Sequence, residues 1–546
     1  MFRSELAETT FNNKYRHNGA ETWAELCKTL IKQVMRPYAT PDQCDQLEEY
    51  MRDMKFIPGG RYLYYAGRDN PFFNNCYLLR AEEDSREDWA QLAWKAESCL
   101  LTGGGIGVDY SIYRPAGALI RRTGGTASGP IPKMGGVNAQ GKYIMQGGSR
   151  RSAIYASLNH KHADIHEFLT VKDWDNQPIG TSGMTYGDMK RHDFNFNAPL
   201  DMTNISVNYD TSWLLNYYKT GDVGEVFLKN VDMALKHGEP GFSFNFFDKE
   251  EETLRNACTE VTSSDDSDVC NLGSVNLSRI STTVELSSVV ELGTVFLLCG
   301  TLVAELPYDK IRDVRERNRR LGLGLMGVHE WLIQRNYRYE LNPELSQWLS
   351  IYKGISDSAS AHYSNLLNIS KPIANRAIAP TGTIGILAGT TTGIEPMFGV
   401  AYKRRYLKGN QWKFQYKVED IALSLIRDQG VNPESIETAS DLANDPERRI
   451  KFQADVQDFV DMGISSTINL PTYKAGHTDP RLFASILAKY APRLRGFTCY
   501  PDGARGGQPL NAVPYSEAVD KLGEELDENT EYNDVCDLTG GGHCGT

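Results

Sequence analysis

The stretch 256–260, Asn-Ala-Cys-Thr-Glu, and the stretch 270–273, Cys-Asn-Leu-Gly, decide how this chain is interpreted. The first places an amide, a thiol and a carboxyl at alternate positions. In an extended segment these three side chains point to one face. We therefore expect Asn256, Cys258 and Glu260 to meet the same ligand. The alternative, which spacing alone favours, is a buried structural cysteine in a strand.

The neighbouring residues indicate loops rather than helices. Residues 262–267 are rich in serine, threonine and aspartate, and Asn271 and Gly273 are types that favour turns. The sequence therefore predicts a short extended segment between turns.

The composition excludes several classes of protein. The chain has 546 residues, of which 40% are hydrophobic and 23% charged, as in an ordinary globular protein with more than one lobe. The net charge is −12, and residues 511–546 carry nine acidic side chains against one lysine. The remainder has no basic surplus, so we expect neither a nucleic acid nor a membrane as partner.

We predict a cytoplasmic location, because the N-terminus lacks the apolar core of a signal peptide. The apolar run 292–304 is too short to span a bilayer and predicts a buried helix. Ten cysteines in a chain of this length do not form a disulfide scaffold. In a cytosolic protein they are buried, metal-bound or catalytic.

The pattern Asn-x-Cys-x-Glu, followed by Cys-Asn-Leu-Gly-Ser-Val-Asn-Leu, resembles the finger loop of ribonucleotide reductases. The resemblance implies that Cys258 becomes a thiyl radical and removes the ribose 3′-hydrogen. It implies that Glu260 takes the 3′-hydroxyl proton and that Asn256 holds the substrate hydroxyls. Cys270 would be half of the pair that reduces the 2′ position.

The stretch 74–79, Asn-Asn-Cys-Tyr-Leu-Leu, resembles the strand that carries the first reducing cysteine of that family. The resemblance therefore makes Cys76 the partner of Cys270; without it, a buried strand cysteine is the better interpretation. Glu83 and Asp84 follow where the family contacts an allosteric effector, a deoxynucleoside triphosphate or ATP.

Two glycine-rich stretches, 123–130 and 146–151, bracket the segment where the family has effector loop 1 and a dimer helix. Glycines at 135, 136 and 141 predict a weakened helix, so a homodimer is possible but the family's usual dimer geometry is in doubt. Arg150 and Arg151 are expected to meet effector phosphates, with a solvated basic pair as the equal alternative. The polar stretch 170–197 is expected to contain effector loop 2.

The stretch 322–327 matches the dinucleotide-binding pattern G-x-G-x-x-G, but it follows a charged run and not a strand. We interpret it as part of a helical stretch, 314–334, in which glycines permit close helix packing.

Residues 379–385, Ala-Pro-Thr-Gly-Thr-Ile-Gly, resemble the family's substrate-phosphate loop. Turn residues, two hydroxyls and free backbone N–H groups suit an anion if a helix begins there. The predicted phosphate-binding residues are Pro380, Thr381, Gly382, Thr383 and Ile384. An ordinary capped strand–helix turn is the alternative.

The stretches 464–471 and 496–505 resemble the class II enzymes, which use adenosylcobalamin. Class I catalytic subunits have two consecutive tyrosines here, to relay a radical from a separate metal-containing subunit. This chain has Cys499 followed by Tyr500. The resemblance therefore favours adenosylcobalamin, with a radical-generating small subunit as the alternative and Tyr500 as the candidate for its radical path.

The acidic tail contains Cys536 and Cys544. A pair of thiols there is suited to reduce a Cys76–Cys270 disulfide by exchange, and itself to be reduced by a thioredoxin-like, glutaredoxin-like or small dithiol reductant. Zinc is the weaker alternative, because two cysteines and His543 make an incomplete tetrahedral set.

Together these motifs imply an α/β protein with the ten-stranded barrel and central finger loop of the ribonucleotide reductases. Residues 1–55 would be a helical segment without the ATP-binding regulatory module, residues 56–510 the barrel with its effector loops, and residues 511–546 a mobile tail. The implied activity is reduction of ribonucleoside di- or triphosphates for DNA synthesis. The alternatives are another thiyl- or glycyl-radical enzyme, whose glycyl site the stretch 539–543 does not resemble, and an inactive nucleotide-binding regulator.

Overall fold

The computed structural model describes residues 2–121, 123–144, 152–193, 196–408, 411–474, 478–502 and 510–527. The strands are β1 Phe56–Pro58, β2 Cys76–Arg80, β3 Gly105–Asp109, β4 Ile154–Asn159, β5 Thr203–Tyr209, β6 Gly241–Phe244, β7 Leu254–Arg255, β8 Thr262–Ser263, β9 Asp268–Asn276, β10 Leu321–Met326, β11 Ala401–Lys408, β12 Gln411–Val418, β13 Thr467–Leu470, β14 Gly496–Pro501, β15 Leu510–Val513 and β16 Glu525–Asp527. The α-helices are α1 Glu5–Lys14, α2 Trp23–Leu30, α3 Pro41–Arg52, α4 Gly60–Tyr65, α5 Arg86–Leu101, α6 Pro130–Tyr143, α7 Ile165–Thr170, α8 Tyr186–His192, α9 Thr211–Thr220, α10 Glu225–His237, α11 Thr283–Val303, α12 Asp309–Asn318, α13 Val328–Gln334, α14 Pro343–Leu366, α15 Gly382–Ala388, α16 Asp420–Gln429, α17 Ala439–Leu442, α18 Pro446–Gln457, α19 Pro480–Tyr490 and α20 Tyr515–Val519.

The main sheet consists of two parallel halves. Strands β2 to β6 pair in sequence order and run parallel. In the second half β13 is parallel to β14, and β9 is parallel to β10. The halves meet in antiparallel pairs, β6 with β14 and β2 with β9.

Segment 374–378 closes this sheet into a barrel. It forms parallel bridges through Arg376 to Leu323 of β10 and through Ile378 to Ile464, just before β13. With this segment the ring has ten strand positions, five in each parallel half. The predicted ten-stranded α/β barrel is therefore confirmed.

The two-stranded hairpin β7–β8, which we call the finger hairpin, lies between β6 and β9 in the chain. It crosses β3 so closely that a Cβ at Gly107 would overlap the carbonyl oxygen of Arg255. A glycine in the middle of β3 is thus a condition for placing this hairpin inside the barrel.

Helix α11 is the central helix of the largest hydrophobic cluster, where it packs on β9, β10 and α14. Among the described helices it alone is long and apolar enough to cross a membrane, but 72% of its most apolar window is buried by the rest of the protein. It contains most of the apolar run 292–304, for which the sequence predicted a buried helix. Strands β15, β11, β12 and β16 form a separate antiparallel sheet.

The predicted helix over 314–334 is wrong. The chain there forms α12, then strand β10, then α13. The glycines serve strand contacts, because a Cβ at Gly324 would lie 2.6 Å from the carbonyl oxygen of Ala377 and one at Gly322 would lie 3.1 Å from Cys270 Sγ.

Two other local expectations also fail. Asn271 and Gly273 lie within the buried strand β9 and not in turns. The Asn271 amide donates to the carbonyl of Leu297 and accepts from Asn74, so tertiary contacts replace the turn. Helix α6 forms despite its glycines, and at Gly141 a Cβ would overlap the side chain of Ile154.

Candidate active site

The finger hairpin ends in a tight turn at residues 256–260. The N–H of Thr259 donates to the carbonyl of Asn256 at 3.0 Å, and Thr259 has a left-handed backbone with φ of 69°. The expected extended segment is therefore wrong. Strands β7 and β8 have two residues each, and the residues between them form a turn, in which side chains do not alternate between two faces. The turn still brings Asn256 beside Glu260, close enough for its side chain to oppose the effect of burial on the pKa of that carboxyl.

Cys76 and Cys270 are direct partners across the antiparallel pair β2–β9. Residues opposite each other in such a pair have Cα atoms about 4.5–5.5 Å apart, within the range that a disulfide bridges. Both are buried free thiols in this structure. The fold thus brings together two cysteines that are far apart in sequence, in a position to exchange two electrons.

The side chain of Asn256 joins the finger turn to this pair. Its Nδ2 donates to Cys76 Sγ at 2.9 Å, and its Oδ1 accepts from the N–H of Val261 at 2.9 Å. Asn256 is fully buried, so these contacts fix its orientation. The structure therefore brings Asn256, Glu260, Cys76 and Cys270 into one cluster.

Burial controls the protonation of the cluster. It raises the pKa of Glu260 to about 7, against the opposing effect of the Asn256 hydrogen bond. Glu260 Oε2 is buried and has no hydrogen-bond partner among the described residues, which also favours the protonated form. Burial, together with nearby acidic groups, also raises the pKa of Cys76 and Cys270, which keeps both as thiols at neutral pH.

Cys258 is the one cysteine of the eight in the described ranges that is not buried. It lies close enough to Cys76 for its charge to raise the pKa of that thiol. A partly exposed sulfur at the tip of a hairpin, with a buried dithiol behind it, can meet a ligand from one side while the dithiol stays shielded.

A cleft of about 520 Å³ lies beside the segment that contacts the finger turn, and its lining does not include the residues of the cluster. One wall consists of Ser465, Thr467 and Asn469, which follow Gly463; the N–H of Gly463 donates to the carbonyl of Glu260 at 2.7 Å. Tyr500 of β14 lines the same cleft, next to Asn469 in the parallel pair.

The predicted phosphate loop borders this cleft through Pro380, and α15 begins at Gly382. The Thr381 hydroxyl is occupied, because it accepts from the N–H of Gly393 at 2.8 Å. Lys14 Nζ donates to the Thr383 hydroxyl at 3.4 Å and is exposed. The first N–H groups of a helix lack partners within it, so the donors that an anion needs are present.

The predicted effector residues are not part of this cluster. Asp84 accepts from the guanidinium and the backbone N–H of Arg114, and the N–H of Glu83 donates to Asp88 at 2.7 Å. Both follow β2, before α5. Arg150, Arg151, Cys536 and Cys544 lie outside the described residues.

Sequence reasoning missed two residues that shape the site, Arg255 and Gly463. Arg255 comes directly before the Asn-x-Cys-x-Glu motif. A charged residue next to a motif that is expected to be buried could have marked it as part of the site. A Cβ at Gly463 would lie 2.6 Å from the carbonyl oxygen of Thr259. No local pattern marks that glycine.

The family model for the ribonucleotide reductase barrel domain matches residues 74–196, 217–348 and 374–487. A vitamin B12-dependent ribonucleoside-diphosphate reductase of Mycobacterium tuberculosis (strain CDC 1551 / Oshkosh) is 26% identical, over 94% of this chain and 77% of that protein. One of the same name from Thermoplasma acidophilum is 27% identical, over 86% of this chain and 66% of that protein.

The fold comparison agrees with the sequence comparison. The class Id ribonucleotide reductase alpha subunit of Actinobacillus ureae superposes with a TM-score of 0.71 at 16% identity, over 92% of this chain and 98% of that one. The barrel, its finger hairpin and the matched family model have one explanation: the chain belongs to the ribonucleotide reductase family.

Proposed function

We propose that this chain reduces ribonucleoside diphosphates to 2′-deoxyribonucleotides through a thiyl radical on Cys258. The observation that carries the proposal is the cluster itself: a partly exposed cysteine, a buried carboxyl, and a cross-strand dithiol joined to them by Asn256. The diphosphate is chosen because both relatives named above are ribonucleoside-diphosphate reductases. An inactive nucleotide-binding regulator would have no need of this complete set.

In this scheme the Cys258 sulfur removes the hydrogen atom from C3′. Glu260 accepts the proton of the 3′-hydroxyl, for which its pKa of about 7 is suited at neutral pH. Asn256 holds the substrate hydroxyls. Cys76 and Cys270 lose two hydrogen atoms: one leaves with the 2′-hydroxyl as water, and the other ends on C2′. The pair becomes a disulfide, Glu260 returns its proton to the 3′-oxygen, and the hydrogen on Cys258 returns to C3′.

The N-terminal turn of α15, with residues 380–384, is proposed to hold the substrate phosphates. Pro380 borders the cleft. Lys14, which donates to the Thr383 hydroxyl, adds a positive charge that favours an anion at this turn. Effectors are proposed to bind near Glu83, Asp84, Arg150 and Arg151. Regeneration of the dithiol is assigned to Cys536 and Cys544, with a thioredoxin-type or small dithiol reductant.

Adenosylcobalamin is proposed as the radical source. Support comes from the two relatives named above, which are vitamin B12-dependent. The cleft offers an apolar patch of Ile386, Met397 and Phe398 to one face of the group, but its volume of about 520 Å³ is too small to enclose it. These residues and Tyr500 would hold it. When bound, it would supply a carbon-centred radical. The chain's own part is to present Cys258 and to keep the dithiol shielded.

The test is CDP reduction by the purified chain with dithiothreitol, with and without adenosylcobalamin. We expect turnover only with the cofactor, and none in a Cys258→Ser variant. Full activity of that variant would refute the proposal. Turnover that instead needs a metal-loaded partner protein would replace cobalamin by a separate subunit, and Tyr500→Phe would then test the radical path.

A further inference from the structure

We propose that Arg255 is a positioning residue that holds the finger turn, and with it Cys258, Asn256 and Glu260, in the reactive arrangement. This inference rests on the proposed function for its kinetic consequence only. The placement of Cys258 can be measured without any turnover.

The guanidinium of Arg255 binds acceptors from three parts of the chain. On the finger hairpin Nη1 donates to the carbonyl of Leu254 at 3.0 Å and to that of Glu252. At the end of β6, Nη2 donates to Asn245 Oδ1 at 2.6 Å and to the carbonyl of Phe244 at 3.4 Å. It also donates to the carbonyl of Arg495, just before β14, at 3.1 Å.

These contacts lie at the seam between the two half-barrels. Strands β6 and β14 form the antiparallel pair where the strand direction reverses, and the N–H of Phe244 donates to the carbonyl of Arg495 at 3.1 Å. Arg255 therefore ties the root of the finger hairpin to both halves. On the opposite side, Gly107 of β3 leaves no room for the hairpin to shift.

The position of Arg255 is costly, which argues that it has a specific purpose. The side chain is 1% exposed, and the five acceptors are uncharged. Burial, and then the neighbouring Arg495 guanidinium, lower the pKa of Arg255 to about 9. The nearby carboxylate of Glu252 is bound by Arg495 at 2.9 Å. A buried charge without a carboxylate hydrogen-bonded to it is destabilising unless its hydrogen bonds are well made.

Arginine suits this set better than lysine. Its Nη1 and Nη2 present four N–H groups in a fixed fork to the five acceptors, while its buried Nε has no hydrogen-bond partner among the described residues; lysine has three N–H groups on a single nitrogen. In an Arg255→Lys variant the charge remains, but some carbonyls lose their donor. The turn that begins at Asn256, the next residue, is then free to move, and a displacement of about 1 Å can cost about 100-fold in rate.

The experiment compares Arg255→Lys with Arg319→Lys in the full chain. Arg319 is also buried and donates to Ser370 and Thr301, away from the finger hairpin. The first readout is the rate at which iodoacetamide alkylates Cys258, followed by peptide mass spectrometry. The second is kcat and KM for CDP with adenosylcobalamin, and the third is the unfolding midpoint in urea.

For Arg255→Lys we expect a severalfold change in the alkylation rate of Cys258 and about 100-fold lower kcat, with KM little changed. Arg319→Lys should lose comparable stability without either effect. Asn245→Ala removes only one acceptor of the Arg255 guanidinium and is the substitute variant if Arg255→Lys does not fold. It should shift the alkylation rate of Cys258 in the same direction. Equal alkylation rates in a folded Arg255 or Asn245 variant and in wild type would overturn the inference. A wild-type chain without turnover, either with adenosylcobalamin or with a metal-loaded partner protein, would refute the proposed function and leave the alkylation result to decide this one.

Discussion

At the residue scale, the unusual feature is that Glu260, the proposed base, is in a position where burial favours its neutral form. With a pKa of about 7, a large share of the molecules carry the carboxylate only above neutral pH. We expect kcat to rise with pH through about 7, and Glu260→Gln to lower kcat by about 100-fold or more. A pH profile of kcat for CDP measures both, and a flat profile in wild type would exclude Glu260 as the base.

The raised pKa of Glu260 also predicts how the stability of the protein depends on pH. The pKa of Glu260 is about 7 in the folded protein and 4.5 ordinarily. Between pH 4.5 and 7 the folded state therefore binds more protons than the unfolded state. The protonated form therefore stabilises the fold at low pH, and this contribution is lost as pH rises from about 4.5 through 7. Relative to Glu260→Gln, wild type should lose up to roughly 3 kcal/mol of unfolding free energy across that window. Urea unfolding of both proteins at pH 4.5 and 8 tests this, and a constant difference would contradict it.

At the element scale, the finger hairpin is placed by the strand that it crosses. Gly107→Ala puts a methyl group where the carbonyl of Arg255 lies, so β3 or the hairpin must move. We expect a loss of about 1–3 kcal/mol in stability and a large loss of activity. The control is Gly135→Ala in α6, where nothing lies within 4 Å and φ is not positive. That change should be neutral or stabilise by about 0.5–1 kcal/mol. Equal effects of the two substitutions in urea unfolding would show that β3 does not constrain the hairpin.

The secondary-structure elements also show which parts of the fold could be predicted from the sequence. The apolar run 292–304 was predicted as a buried helix, and most of it lies in the buried part of α11. Strand β10 was predicted as helix, because its glycines are explained only by the sulfur of Cys270 and the carbonyl of Ala377 that pack on them. The tight turn at 256–260 likewise depends on Gly463, which is distant in sequence. The pairing of Cys76 with Cys270 came from the family resemblance, since residue patterns carry no information on contacts so far apart.

At the scale of the whole molecule, the barrel is completed by segment 374–378, which has few backbone pairs of its own. Arg376 holds it: its guanidinium is 1% exposed and bonds Asp357 and Asp461, each at 2.6 Å, and the carbonyl of Phe459 at 2.9 Å. The segment leads directly into the proposed phosphate loop. Closure of the ring and substrate binding should therefore depend on the same side chain.

We accordingly predict that Arg376→Ala lowers the unfolding free energy by about 3–5 kcal/mol, because it leaves its carboxylate and carbonyl partners without their donor. In the fraction that folds, KM for CDP should rise more than kcat falls, since the loop that follows the segment moves while Arg255 still anchors the root of the finger hairpin. Arg338→Ala is the matched control: it removes an exposed ion pair with Glu437, which should cost less than about 1 kcal/mol and leave KM unchanged. Urea unfolding and steady-state kinetics of the two variants decide the matter. A large fall in kcat at constant KM in Arg376→Ala would mean that closure positions the radical site and not the substrate phosphates.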